Sequence, residues 1–219
     1  RTGDWKYFDK KGRIWKEENY IDNELNGIVK VYHDNGKVER ELEYRNDELD
    51  GTFKRFAEDG QLAFVSYYKD DLLYGYSYFD KSNSLVKMLP LKGGSGKLIS
   101  YYSNGNKSAE IEYADGKVNG RFELFHPNGN TMYRTNEVYN HTEGNLEEFY
   151  ANGVQKSSYS YATNSMDGGY KEFYENKTVK EEGQYFNGLE HGSFKYYDTN
   201  GKLISQRTYY YGTLINVTK

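Results

Sequence analysis

The sequence contains no cysteine, which excludes disulfide staples and thiolate chemistry and leaves the redox compartment open. Hydrophobic residues are scarce at 36%, against about 45–50% in globular domains on a count that also includes glycine. The aliphatics needed to fill one large core are missing. No apolar run approaches the roughly 18 residues a bilayer span requires, so no direct membrane insertion is expected. An excess of cations is missing too. The formal net charge is −4 without a long Lys/Arg cluster, which argues against nucleic acid or an anionic membrane as principal ligand. Proline is nearly absent, with 2 residues, whereas Gly 23, Tyr 25 and Phe 11 dominate. These are turn residues and β-formers, and so many tyrosines suit half-buried surfaces with rings packed and hydroxyls wet.

The glycines are periodic. One recurs at Gly3, Gly27, Gly51, Gly75, Gly96, Gly120, Gly144, Gly169 and Gly192, at spacings of 24, 24, 24, 21, 24, 24, 25 and 23 residues. Five places after most of them stands an aromatic ring: Phe8, Tyr32, Phe56, Tyr101, Phe125, Phe149, Tyr174 and Tyr197. Nine places after comes a second glycine, as in Gly36, Gly105 and Gly129, and near the end of the unit a tyrosine, as in Tyr44, Tyr113 and Tyr185. A repeat of this length filling residues 1–219 reads as a single repeat domain.

Within one unit, "VERELEY" alternates apolar and charged residues, the period of a half-exposed strand. "IVKVY" before it is β-branched and aromatic, and Asn35-Gly36 between the two is a hairpin signal. Two registers are open. A two-residue loop sets Val29 against Leu42 and Gly27 against Tyr44, whereas a three-residue loop with a glycine bulge sets Tyr32 against Val38 and Phe56 against Leu62. "RNDELD", "ADGKVN" and "FNGLEH" return the chain to the next unit. The expected fold is all-β: an elongated antiparallel meander of about nine stacked hairpins, roughly 85 Å long, forming one long twisted sheet. The unit beginning at Gly75 is irregular. It is three residues short, contains Pro90 and lacks the Asn-Gly pair. It reads as a decayed repeat that bends the sheet, or alternatively as an insertion that shapes a binding surface.

The pattern of Gly, four residues, an aromatic, two residues, Asn-Gly and a terminal Tyr resembles the MORN repeats, specifically the bacterial MORN-variant family. "YHDNGK", "YYSNGN", "FHPNGN", "FYANGV" and "YYDTNGK" carry the resemblance, which is weakest over residues 76–95. It implies stacked hairpins that act as an interaction scaffold. It also implies a link to proteins labelled antitoxins of toxin–antitoxin pairs, and to members exported to the cell envelope. Arg1 lies two residues before the first repeat glycine, which leads us to expect a longer or processed precursor.

Catalytic chemistry is not legible. His33, His126, His141 and His191 lack metal-ligand spacing, and His33 and His126 occupy equivalent turn positions. Neighbouring carboxylates such as Glu147-Glu148 point to opposite faces of a strand. "LKGGSGKL" lacks the first glycine and the Ser/Thr of a phosphate loop. No cofactor and no metal are expected, and no enzyme. The ring row remains. Its rings hold a sheet together through cross-strand pairs, and collectively they offer an aromatic surface of the kind on which proteins dock. The expected partner is therefore a protein, met by Tyr101, Phe125, Phe149, Tyr174 and Tyr197. An antitoxin or immunity protein and a carbohydrate-binding module are the alternatives.

Overall fold

The computed structural model describes residues 1–82 and 84–218. As periodicity predicts, they form antiparallel hairpins. The one helical turn among the described residues is a 3-10 turn over Lys92–Gly94. The repeats, a single series in the sequence, pack as two compact units, Arg1–Lys117 and Val118–Lys219.

One hairpin explains the rest. Gly27–Tyr32 pairs with Val38–Arg45, and both open registers are realised within it. Gly27 faces Tyr44 and Val29 faces Leu42, while nearer the turn Tyr32 faces Val38. Since Val31 faces Arg40, Glu39 is an extra residue and forms a β-bulge. Equivalent shifts fall at Arg55/Phe56, Leu124/Phe125 and Glu172/Phe173. The turn makes the bulge necessary. The Gly36 N–H donates to the His33 carbonyl (2.9 Å) and the His33 N–H donates to the Lys37 carbonyl (2.8 Å). Gly36 itself lies at φ +82°. A turn that closes with a left-handed residue is a bulged loop rather than a two-residue primed turn. The primed turns sit at the other ends of the strands. Asn46 and Asp47 (φ 51° and 67°) and Asn187 and Gly188 (φ 49° and 78°) are both left-handed, the combination that matches strand twist.

The repeat glycine has a backbone reason. It stands opposite the terminal tyrosine, as in Gly51 with Tyr68, Gly96 with Tyr113 and Gly192 with Tyr209. Gly51 lies at φ 139° and Gly120 at φ 117°, a region where a β-carbon is penalised. In the eighth repeat it is Gly168, not Gly169, that faces Tyr185. The structural glycines 144, 168 and 192 are therefore evenly spaced.

Turn side chains tie successive hairpins together. Asn35 Nδ2 donates to the Glu58 carbonyl (2.8 Å) and Asn176 Nδ2 to the Thr199 carbonyl (2.7 Å). At the opposite ends the Leu25 N–H donates to Asp47 Oδ1 and the Thr142 N–H to Asn164 Oδ1, both at 2.7 Å. The predicted turn histidines join in: His33 Nε2 lies 3.1 Å from the Phe56 carbonyl, and His126 Nε2 lies 2.9 Å from that of Phe149.

The expectation of one long sheet is corrected in the first unit. Its nine-stranded sheet ends at Leu89–Pro90, which pairs with Gly75 and Tyr76. The irregular repeat keeps its turn bond from the Asp80 N–H to the Ser84 carbonyl (3.0 Å) and a Phe79–Leu85 bridge. Its return strand, however, shrinks to two residues, and Pro90 has no N–H to extend a ladder. The next hairpin, Gly96–Tyr101 with Lys107–Ala114, belongs to a second sheet and packs on Leu62–Lys69. That strand is buried on both faces, with Phe64 and Ser66 on one and Ala63 and Val65 on the other. Phe64, Leu73, Leu98 and Ile111 are each at most 1% exposed and form the centre of this core. A hydroxyl relay is buried with them: Ser100 Oγ and Ser108 Oγ lie 2.8 Å apart, and Ser108 Oγ donates to the Ala63 carbonyl (2.7 Å). Burial pushes the Tyr113 phenol well above its ordinary range.

The second unit is a regular meander. Its hairpins are Lys117–Phe125 with Thr131–Val138, His141–Phe149 with Gln155–Ala162, Ser165–Phe173 with Val179–Phe186, and Gly192–Tyr197 with Leu203–Tyr210. Thr213–Thr218 pairs on the last of these. Tyr170, Phe194 and Tyr209 form its apolar cluster, flanked by Tyr159, Tyr185 and Tyr196. Gly183 makes room for Phe194, since a β-carbon there would lie 2.5 Å from the ring.

Candidate protein-binding surface

Cα partners in an antiparallel pair present their side chains on the same face. Following partners across the second unit therefore traces what each face offers. One face carries the Tyr170–Phe194–Tyr209 cluster. The other carries an unbroken cross-strand row of Glu123, Arg134, Glu147, Ser158, Lys171, Glu182, Lys195 and Gln206, each the partner of the next. Arg134 pairs with Glu147 at 2.5 Å and Lys171 with Glu182 at 3.3 Å. The row satisfies its own charge and adds little stability, because exposed pairs contribute about 0.2–1 kcal/mol each.

Two further rows flank this ladder. Toward the bulged loops stand the rings Phe125, Phe149, Phe173 and Tyr197. Tyr197 Oη donates to Glu182 Oε1 (2.8 Å), and the Arg134 guanidinium lies 5.1 Å above the Phe149 ring. The Tyr197 hydrogen bond, and then Lys171, hold the Glu182 carboxyl below its usual range despite some burial. On the other side lie uncharged residues: Asn145 opposite Ser160, Gly169 opposite Gln184, and Ser193 opposite Thr208. Between the rows runs an open groove of about 810 Å³, lined by Glu147, Gln155, Gly169, Phe173, Gln184 and Lys195 among others. A smaller groove of about 390 Å³ shares Asn145 and Glu147 with it and continues toward Arg121.

Of the rings singled out in the sequence, Phe125, Phe149 and Tyr197 occupy equivalent places in this row. Each is half-buried and each faces the residue just before its bulge. Tyr101 holds the same place in the first unit, where it is exposed and meets Tyr78 edge-on at 5.3 Å. Tyr174 does not belong to the row. Because the eighth repeat starts at Gly168, its ring-row residue is Phe173, facing Val179. Tyr174 is a turn residue whose Oη donates to the Tyr197 carbonyl (2.9 Å). The charged ladder was missed, although a signal exists. Lys6, Glu17, Lys30, Glu41 and Lys54 alternate at fixed offsets from the repeat glycines and are cross-strand partners in the first unit too. Among the described residues no His/Cys/Asp/Glu group could hold a metal ion, and no helix is long and apolar enough to cross a membrane.

These hairpins define a β-repeat scaffold. The family described as MORN repeat variant matches residues 1–22, 25–46, 49–70, 95–115, 166–187 and 190–209, and the chain belongs to that family. The matched stretches pass over residues 71–94, which hold the irregular repeat, and over 116–165, which fold as two regular hairpins all the same. MORN repeats are binding scaffolds for proteins or membranes and not an enzyme family. No curated protein matches. Among solved structures, a chain of the Photorhabdus luminescens Tc holotoxin pore is similar at 8% identity and a TM-score of 0.18, covering 94% of this chain and 14% of that one. This chain thus spans a small fraction of that protein's length, and a likeness at this score carries no argument.

Proposed function

We propose that the protein is a non-enzymatic scaffold that binds another protein on the ladder face of its second unit. The observation that carries this reading is the groove. A binding surface is expected to be concave, to expose aromatic residues and to keep its charges paired at the rim. Phe173 in the lining, with Phe149 and Tyr197 beside it in the same ring row and the self-paired ladder running through the groove, supports this reading. Mixed charge disfavours a polyanionic ligand. The test is affinity capture with the intact protein, identification of what it retains, and titration of that partner against wild type, Phe149→Ala and Tyr197→Ala. At least one substitution is expected to weaken binding by about 2 kcal/mol, the scale of an interface hot spot, with the melting temperature held. If neither changes affinity while both proteins stay folded, this face is not the interface.

A further inference from the structure

The irregular repeat interrupts the charge pattern as well as the sheet. Residues 81–109 carry none of the 33 Asp and Glu residues of the chain, yet hold five lysines. Two of the five belong to the next hairpin and are paired there, Lys97 with Glu112 (2.9 Å) and Lys107 with Glu110 (2.6 Å). Lys81, Lys87 and Lys92 are exposed and make no ion pair among the described residues. They stand along the edge where the nine-stranded sheet ends. The Val86 N–H donates to the Tyr78 carbonyl (3.0 Å), Leu89 faces Tyr76, and the Leu91 N–H donates to the Tyr74 carbonyl (2.9 Å). Met88 seats this edge on the sheet, since a β-carbon on Gly75 would lie 2.8 Å from its side chain. Between the lysines, Leu85, Met88 and Leu89 are themselves exposed.

The neighbouring strand departs from the repeat in the same direction. Leu72 faces Lys69 where the earlier repeats set Glu24 against Ile21 and Glu48 against Arg45. Tyr74 precedes its repeat glycine where Asn26, Asp50, Asn119, Glu143 and Asp167 precede theirs. Both apolar replacements are exposed, and they line a groove of about 440 Å³ with Gly93 and Gly116. Asp70 and Asp115 also line it, so the cationic part of the surface is the lysine edge and the groove is its apolar part. Exposed apolar surface rimmed by polar groups marks a docking site, and unpaired charge on it sets the sign of the partner. Strand addition is disfavoured, because Pro90 lacks an N–H and the regular pairing is two residues long. Recognition therefore falls to side chains. A bilayer is the poorer match, since recruitment takes clusters of about four to eight Lys or Arg and the chain carries a net −4.

We infer that the irregular repeat forms a second docking surface, which takes an acidic, apolar segment of a partner protein. The carboxylates of that segment meet Lys81, Lys87 and Lys92, and its apolar side chains pack on Leu85, Leu89 and the Leu72–Tyr74 groove. This surface lies in the first unit and does not depend on the ladder-face reading. The test uses the whole chain and a labelled peptide of Glu, Leu and Ser, about ten residues long and so able to span an edge of about 20 Å. Comparison peptides carry Gln for every Glu or Ser for every Leu, and vesicles of phosphatidylcholine with phosphatidylserine are the further probe. Fluorescence anisotropy reads the peptides and cosedimentation the vesicles. The Glu-Leu peptide is expected to bind, about fivefold or more tighter than either comparison, and to weaken as added salt screens the charges. Lys87→Glu and Leu89→Ser are each expected to weaken it about fivefold with the melting temperature held. Lys92→Glu gives the same reading should Lys87→Glu unfold. Lys10→Glu, at an exposed lysine on the first turn, is expected to bind as wild type. Absence of peptide binding, equal binding of the Gln peptide, or an equal loss in Lys10→Glu would overturn the inference. So would vesicle binding that is lost in Lys87→Glu while the peptide is ignored, which would assign the edge to a membrane.

Discussion

The two units apply one hairpin rule to different ends. In the first, the ladder Lys6–Glu17–Lys30–Glu41–Lys54 leads to Val65, which is buried, and then to Ser77, which is fully so. In the second, the equivalent row runs uninterrupted from Glu123 to Gln206 and lines an open groove. The difference originates in the repeat at Gly75. With its return strand reduced to Leu89–Pro90, the sheet stops, and the following hairpin lies over Leu62–Lys69. A defect in the repeat converts a surface strand into a core strand, and an unbroken series keeps its polar face available.

The comparison can be broken most forcefully at its cores. Phe64→Ala, at a site 1% exposed in the first unit, is expected to cost about 3–5 kcal/mol. Phe173→Ala, on the half-exposed ring row, should cost well under half as much. Chemical denaturation of both variants decides it, and equal losses would mean the ring row is as structural as the core.

Next in size is the contrast between glycines. Gly120→Val forces a β-branched residue to φ 117°, and strained backbone of that kind costs about 1–3 kcal/mol. Gly169→Val meets neither strain nor contact and should leave the melting temperature unchanged or raise it, valine being the better strand former. A matching loss at both positions would show that the two glycines serve one purpose.

The smallest effect concerns charge on the clustered face. Burial, followed by the facing Glu172, raises the Glu181 carboxyl above its ordinary value. A carboxylate raised in the folded state contributes stability below its unfolded pKa and loses it as pH rises through the folded one. Glu181→Gln should therefore raise the melting temperature slightly at pH 7, by about 1–2 °C on the usual scale for chains of this size. The gain should vanish once both forms are protonated in acid. Thermal melts across that range check the sign, and a gain that persists in acid would assign the effect to packing.

Much of this was readable from the residues. The 24-residue recurrence of glycine, ring, Asn-Gly and tyrosine dictates hairpins, because glycine and asparagine supply left-handed backbone where the chain reverses. The register was not, because alternation is counted within a strand and a bulge inserts a residue between Val38 and Arg40 that alternation cannot see. Tyr174 was misplaced for a related reason. Gly168 and Gly169 are adjacent, and only pairing with Tyr185 tells which is the left-handed one. The groove was illegible because its residues are drawn from five strands and meet only through cross-strand pairing.

The central claim is that the second unit's ladder face binds while its opposite face holds the fold. The most direct measurement is an alanine series through Phe125, Phe149, Phe173 and Tyr197, recording affinity for the captured partner and melting temperature separately for each variant. The account predicts at least one ring whose removal weakens binding by about 2 kcal/mol or more in a protein that still melts where the wild type does. If every substitution that weakens binding also lowers the melting temperature in proportion, the rings are structural and the claim is contradicted.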